Sequence, residues 1–591
     1  MSRYSIITFL TLLLIFLSIN DNQAFADNKQ VQIVLDATKP FAKQIWKRNV
    51  TYIIKDTFDL QGVQVRIPKG SVLYFDGGYL MNGILQGLGS AISAPRTRLF
   101  ETSISFKGVW RGTKFIPEWF GAIGDGITND TEALQQTLDN AADILLTGKY
   151  RVMHITVNKS VSITGGELVA FIDTYGNTRN ILTANGEHVI SFKDVSFNGS
   201  GKTLASKGIL EPMVSIQEAK AVVFSGCSFH HHSQNSGLQD DIEWQKRRCY
   251  AVSILGANKV VFDSCNFHHN LTEQVAIGSN TTGRRKPNTQ LFIKNCSSHD
   301  NYHSLALFLL FELKSALIDS CSFKDNGRTF FNLFTSNVTI QNSSLRNTGS
   351  RAITSESQGN YYSVENITIE SNLVENASEG AISVGGSNVR IVNNTIINES
   401  VEAKNEYVIR IGGLFTGNNN LSTECRTALP FFNNSFQANK KKSNVCIDNN
   451  TIHSGARRAI IGIRPTENIS KNNQTTDLGI INDVTITNNK FTLSTGVYPI
   501  YFPNGDYNSI TICKNQFELR DKKSIVYMSP SSASGIKSTS VRNVDFSDNK
   551  VQYSDVSEVD FLFEIGYGKV TGFKGENNET NAKYIKSITN F

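Results

Sequence analysis

Val222-Val223-Phe224-Ser225-Gly226-Cys227-Ser228-Phe229 returns almost unchanged as Val260-Val261-Phe262-Asp263-Ser264-Cys265-Asn266-Phe267. Both read apolar, x, apolar, x, x, small or amide, x, apolar. The pattern recurs from Ile190, Leu291, Ala316, Val338, Ile367, Val389, Val445, Val484, Ile510 and Val544, with a looser copy from Val161. Alternation with a period of two marks strands. Recurrence at spacings of 22 to 56 residues marks stacked supersecondary units. Position six holds Val195, then Cys227, Cys265, Cys296, Cys321 and Ser343, then Asn372, Asn394, Asn450, Asn489, Asn515 and Asn549. Like side chains at one site stack when coils lie about 4.8 Å apart, the spacing of hydrogen-bonded strands. Amides in such a column satisfy one another, and thiols serve as small apolar groups. A β-sandwich would show hairpin turns and no single-site column, and a propeller needs longer periods. The pattern predicts an all-β parallel β-helix.

The 591 residues carry a net charge of only +6 and are 40% hydrophobic, which excludes a disordered chain and argues against nucleic acid as partner. Arg3, the apolar run Ile6 to Ile19 and Ala24-Phe25-Ala26 read as a signal peptide over residues 1–26. No later segment is apolar enough to span a membrane, so a secreted or periplasmic protein is expected. The eight cysteines are not spaced as a disulfide framework, and Cys425 with Cys446 is the one pair to test.

Residues 119–135, from Trp119-Phe120-Gly121-Ala122 through Gly124-Asp125-Gly126 and Asn129-Asp130 to Gln135, resemble the opening of the pectate-lyase-like and polygalacturonase-like superfamily. One departure is Asn129, where that family usually has Asp. Ile144 to Val152 is similar to the family's next segment. The resemblance implies a single-stranded, right-handed parallel β-helix. Asp130 is placed as the N-cap of a helix with Leu134, Leu138 and Ala141 on one face, which would plug the open end of the solenoid. Catalysis by Asp125 or Asp130 is not expected. The division is 1–26 signal peptide, 27–116 a small N-terminal β region and 117–591 the β-helix; a monomer is expected.

Seven of the ten histidines lie between residues 230 and 303, on consecutive coils. Counting from position eight, the next residue is His230, His268, His299, Lys324, then Arg346; the one after is His231, His269, Asp300, Asp325, then Asn347. Stacked, these form a basic column suited to an anionic ligand, although Asp and Asn there are also ordinary turn chemistry. Further on, each near the start of the following strand, lie Glu273, His303, Arg328, Arg351, Glu379 and Arg457-Arg458. The insertion Ser233 to Cys249 adds Asp240, Asp241, Glu243 and Trp244. Arg recognises carboxylates, His serves as a base near neutral pH, and Trp offers a flat face to a sugar ring.

The family resemblance and the basic column together imply a carbohydrate-active enzyme on an anionic polysaccharide or oligosaccharide. The expected chemistry is β-elimination at a uronic acid. His303 or His269 would take the proton, Arg328 and Arg351 would neutralise the carboxylate, and His231 and Trp244 would bind substrate. The alternative is a glycoside hydrolase pairing Glu273 with Asp240, Asp241 or Glu243. A non-catalytic glycan-binding solenoid is the third reading. The Gly-His-Gly signature of the polygalacturonase branch is absent from the sequence. No residue is assigned as a metal ligand; calcium on the loop carboxylates is left open.

Overall fold

The computed structural model describes residues 31–171, 180–200, 212–232, 250–270, 273–279, 287–301, 306–357, 360–361, 364–398, 407–412, 441–455, 459–463, 467–469, 475–478, 480–494, 498–502, 505–520, 524–528, 539–554, 558–565, 568–582 and 584–589. Two compact units divide the chain, one ending at Arg151 with Val161–Gly166 added, the other comprising Val152–Ser160 and Glu167–Phe591. The signal-peptide segment lies outside the described residues. Among those residues no helix is long and apolar enough to cross a membrane.

In the first unit Val31–Val34, Val50–Ile54, Val72–Phe75 and Gly83–Ser93 pair in that order, all parallel. This region lacks the eight-residue pattern yet still stacks rung on rung. Its interior is aromatic: Phe100 meets Phe75, Phe106 and Phe120 at centroid distances of 5.4, 5.0 and 5.6 Å. The helix Thr131–Asn140 buries Leu134 and Leu138 as its spacing predicts. Asp130 does not cap it through its side chain. Its carboxylate instead accepts hydrogen bonds from the N–H groups of Ile123 (2.7 Å) and Gly124 (3.0 Å), tying the turn to the helix start. Asn129 Oδ1 takes the N–H of Thr131 at 3.1 Å. Asp125 accepts from the N–H groups of Ile127 and Thr128, which holds its carboxyl below the usual range. Both acids are thus engaged in local structure.

The second unit is wound from three parallel sheets. One coil runs through Lys259–Asp263 in the first sheet, Asn266–His268 in the second and Glu273–Gly278 in the third. Each strand pairs with its counterpart one coil on: Val260 with Leu291, His268 with His299, Ile277 with Leu310. Pattern positions one, three and eight face inward, so Val222, Phe224 and Phe229 are fully buried. Phe192, Phe224 and Phe262 stack at 5.0 and 4.9 Å, and Phe197, Phe229 and Phe267 at 5.0 and 5.2 Å. These intervals match the strand spacing. In-register coils therefore turn a sequence repeat into an aromatic stack.

Position six forms the expected interior column. Asn372, Asn394, Asn450, Asn489, Asn515 and Asn549 each donate a backbone N–H to the Oδ1 of the next Asn, at 2.9 to 3.1 Å, ending on Asn578. The amide Nδ2 groups donate to that same oxygen and to a carbonyl one coil back, as Asn450 does to Ile391 at 2.8 Å. The 56 residues separating Asn394 from Asn450 leave the ladder unbroken. Cys227, Cys265, Cys296 and Cys321 are buried free thiols in the same column, with Cys265 N–H donating to Cys296 Sγ at 3.4 Å. Cys425 lies outside the described residues, and Cys446 is a half-buried free thiol rather than half of a described disulfide. Position five turns the chain with positive φ, as at Ser264 (57°), Asn295 (54°) and Asn342 (51°). That conformation explains its Asn, Asp and Ser.

Candidate functional site

The histidines project from the corner between the second and third sheets. His230, His268 and His299 end the strands Ser228–His230, Asn266–His268 and Ser297–His299 and pair in register. Their rings stack at 4.9 and 5.0 Å. His231, His269 and Asp300 follow at the turn, each with φ of 55°, and the rings of His231 and His269 stack at 5.2 Å. Both columns counted from the sequence therefore exist.

Each first-column ring is held at both nitrogens. Nε2 of His230 meets Ser196 Oγ at 2.8 Å, that of His268 meets Ser228 Oγ at 3.0 Å, and that of His299 meets Asn266 Nδ2 at 3.4 Å. On the other side His230 Nδ1 lies 2.6 Å from His231 Nδ1, His268 Nδ1 lies 2.8 Å from His269 Nδ1, and His299 Nδ1 lies 2.8 Å from Asp300 Oδ2. Burial, reinforced by the neighbouring imidazoles, pushes His268 down to about 4. The same causes lower His231. At neutral pH these two rings are uncharged, so this stretch of the column is less basic than its composition suggests.

The cations further along are compensated too. Arg346 Nε lies 2.9 Å from Glu375 Oε2, one coil on, and Lys324 lies 3.9 Å from Asp325. The strongly basic groove expected from the sequence is therefore tempered, because acids occupy adjacent register positions. Arg328 is exposed at the corner before the strand Thr329–Phe334. Arg351 begins the strand Arg351–Thr354; its side chain is 13% exposed and lies 3.8 Å from Glu379 Oε2, which also accepts from Ser350 Oγ at 2.5 Å. Glu273 pairs with Tyr250 at the start of its third-sheet strand. His303, Asp240, Asp241, Glu243, Trp244 and Arg457-Arg458 lie outside the described residues.

The outer face of the third sheet carries groups the sequence reading missed. Arg410, Gly462, Tyr501, Tyr527 and Glu564 occupy one register position on successive coils. Tyr407, Ala459 and Tyr498 form a neighbouring column. Tyr498 stacks on Tyr527 at 4.4 Å, Tyr501 on Tyr527 at 5.9 Å, and the Arg410 guanidinium lies 5.8 Å from the Tyr407 ring. Burial, with Glu564 nearby, pushes Tyr498 up to about 12. The available signal was the recurrence of Tyr or Arg in Tyr407-Val408-Ile409-Arg410, Tyr498-Pro499-Ile500-Tyr501 and Val526-Tyr527.

Residues 212–396 match the family model described as the right handed beta helix region. The three-sheet coil that contains them has that architecture, the parallel β-helix that the resemblance of residues 119–135 implied. No curated protein matches the chain. Similar solved structures include PfbA, a surface adhesin of Streptococcus pneumoniae, at 15% identity and a TM-score of 0.43, covering 66% of this chain and 92% of that one. A tailspike protein of E. coli bacteriophage HK620, in complex with a pentasaccharide, is 14% identical with a TM-score of 0.34, covering 76% and 68%. The A-module of an Azotobacter vinelandii mannuronan C-5 epimerase is 11% identical with a TM-score of 0.28, covering 80% and 97%. Similarity at this level assigns no activity to this chain.

Proposed function

We propose that this chain is an exported carbohydrate-active protein that cleaves an anionic polysaccharide by β-elimination at a uronic acid. Arg351 is the observation that carries the reading. It is a largely buried guanidinium on a rigid strand, and its carboxylate neighbour Glu379 is itself half-exposed. A uronate carboxylate replacing Glu379 would be bound by the same charge-assisted contact. Arg328 at the preceding corner adds a second cation. His303 removes the C5 proton, the C4–O bond breaks, and the leaving oxygen takes up a proton as the C4–C5 double bond forms. His269, three coils of about 4.8 Å from Arg351, is too distant to serve the same sugar. His231 and the loop residues Trp244, Asp240, Asp241 and Glu243 would bind the chain on either side. The same reading takes residues 1–26 as a signal peptide, 27–116 as a small N-terminal β region, and 117–591 as a monomeric β-helix capped by Thr131–Asn140.

Incubation with uronate polysaccharides tests this directly. Near-ultraviolet absorbance from unsaturated ends is expected, and Arg351→Ala should lose it. New reducing ends without that absorbance would instead point to hydrolysis by Glu273 with Asp240, Asp241 or Glu243. A second reading, glycan binding without cleavage, is favoured by Tyr498, Tyr501 and Tyr527. Their stacked rings suit sugar faces. Retained binding with no product of either kind in the wild type would support it.

A further inference from the structure

We propose that His269, His299 and Asp300 form a binding site for a divalent transition-metal ion of the zinc, nickel and cobalt class. The inference is independent of the glycan reading. The three donor atoms come from two successive coils and lie within 4.8 Å of one another. Asp300 Oδ2 stands between the rings, 2.8 Å from His299 Nδ1 and 3.9 Å from His269 Nε2. A tetrahedral ion with metal–nitrogen bonds of about 2.0–2.1 Å sets its ligand atoms roughly 3.3 Å apart. The two separations lie on either side of that value by roughly half an ångström, within reach of small side-chain rotations.

The surrounding contacts already orient both rings. His269 turns Nδ1 to His268 Nδ1 at 2.8 Å, which leaves Nε2 for Asp300. His268 is in turn fixed through Nε2 by Ser228 at 3.0 Å. His299 leaves Nδ1 for the site and turns Nε2 to the Asn266 amide nitrogen at 3.4 Å. With an ion on Nδ1 the Nε2–H needs an acceptor there, which a half-turn of the Asn266 amide, now holding Ser297 Oγ through Oδ1, would supply. Metal-binding imidazoles characteristically donate their other N–H to a protein group, as His269 Nδ1 can to His268 Nδ1. The backbone is equally fixed, with His269 and Asp300 at the same turn position on adjacent coils.

Two imidazoles and one carboxylate favour zinc, nickel or cobalt over calcium, which prefers six or more oxygens. His269 is 49% and Asp300 42% exposed, so a fourth position faces solvent and is open to water or a ligand oxygen. An ion there would occupy the His269 imidazole, leaving His303 as the base in the glycan reaction. In the metal-free chain the His299–Asp300 contact is a hydrogen bond; the ion takes that place on Nδ1, and the ring's proton moves to Nε2.

Titration of the tag-free full-length chain with Co²⁺, followed by visible absorption and calorimetry, tests the site without any glycan. One saturable equivalent per chain is expected, displaced by Zn²⁺ and not by millimolar Ca²⁺. Asp300→Asn keeps a residue suited to the positive-φ turn while removing the anionic ligand. It and His299→Gln should each weaken binding roughly 10-fold or more, with circular dichroism unchanged. No saturable binding, displacement by Ca²⁺, or wild-type affinity in both folded variants would overturn the proposal.

Discussion

The interior column is built in two ways along one solenoid. From Cys227 to Cys321 it is a run of thiols; the first two coils adjoin the Phe192–Phe224–Phe262 and Phe197–Phe229–Phe267 stacks, and the next two carry Ile293 with Ser298 and Ile318 with Phe323. From Asn372 to Asn578 it is a continuous amide ladder, beside an interior dominated by Ile369, Ile391, Ile447 and Ile486. Thiols are weak hydrogen-bonding partners that behave as small hydrophobes. In the Cys stretch cohesion therefore rests on apolar burial, aromatic in the Cys227 and Cys265 coils. In the Asn stretch each coil is also fixed by directional bonds from its backbone and its amide. One backbone corner thus accepts two chemistries, provided neighbouring coils agree.

The largest test of this contrast is Phe229→Ala, which opens a cavity within the aromatic stack. A loss of roughly 3–5 kcal/mol is expected in urea unfolding followed by circular dichroism; a loss near that of a surface substitution would refute the stack's role. Asn450→Ala comes next. It removes the acceptor of the Asn394 N–H and the amide donor to the Ile391 carbonyl, and leaves the Asn489 oxygen with the residue 450 backbone N–H alone. Unsatisfied buried groups cost about 1–3 kcal/mol each, and partial relaxation gives an expected loss of roughly 2–4 kcal/mol. Cys265→Ala sharpens the comparison, with an expected loss of about 1 kcal/mol because little more than a small apolar group is removed. A loss as large as that of Asn450→Ala would make the two columns energetically equivalent.

The smallest effect is electrostatic. Glu518 is held below the usual carboxylate range by Lys490, 3.1 Å away, and by the Thr492 hydroxyl. Because its folded pKa lies below the unfolded value of about 4.3, its stabilisation is complete above that pH and fades as pH falls through the folded value. Solvent screening keeps it to a fraction of a kcal/mol, on the order of other exposed pairs. Unfolding midpoints of Glu518→Gln and wild type should therefore converge in acid; a gap that widens there would reverse the sign.

The histidine columns were legible because the strand, corner and ladder position recur without insertion between them, so counting gives register. The compensation of Arg346 was within reach of the same count carried one coil further, to Glu375. The tyrosine and Arg410 columns were not, since insertions of unequal length separate the corner from the third sheet and erase the count. Asp130 is a different failure. Its spacing suits an N-cap, but its carboxylate takes the Ile123 and Gly124 N–H groups instead.

By itself the sequence determined the coil, its inward faces and the identity of the column, because these depend on period and on the size and polarity of single side chains. The tertiary structure alone decided which group each histidine nitrogen meets and which nitrogens face Asp300. It also decided which cations meet acids and which tyrosines share a face. Those outcomes depend on register between residues distant in the chain and on side-chain orientation, neither of which a one-dimensional pattern contains.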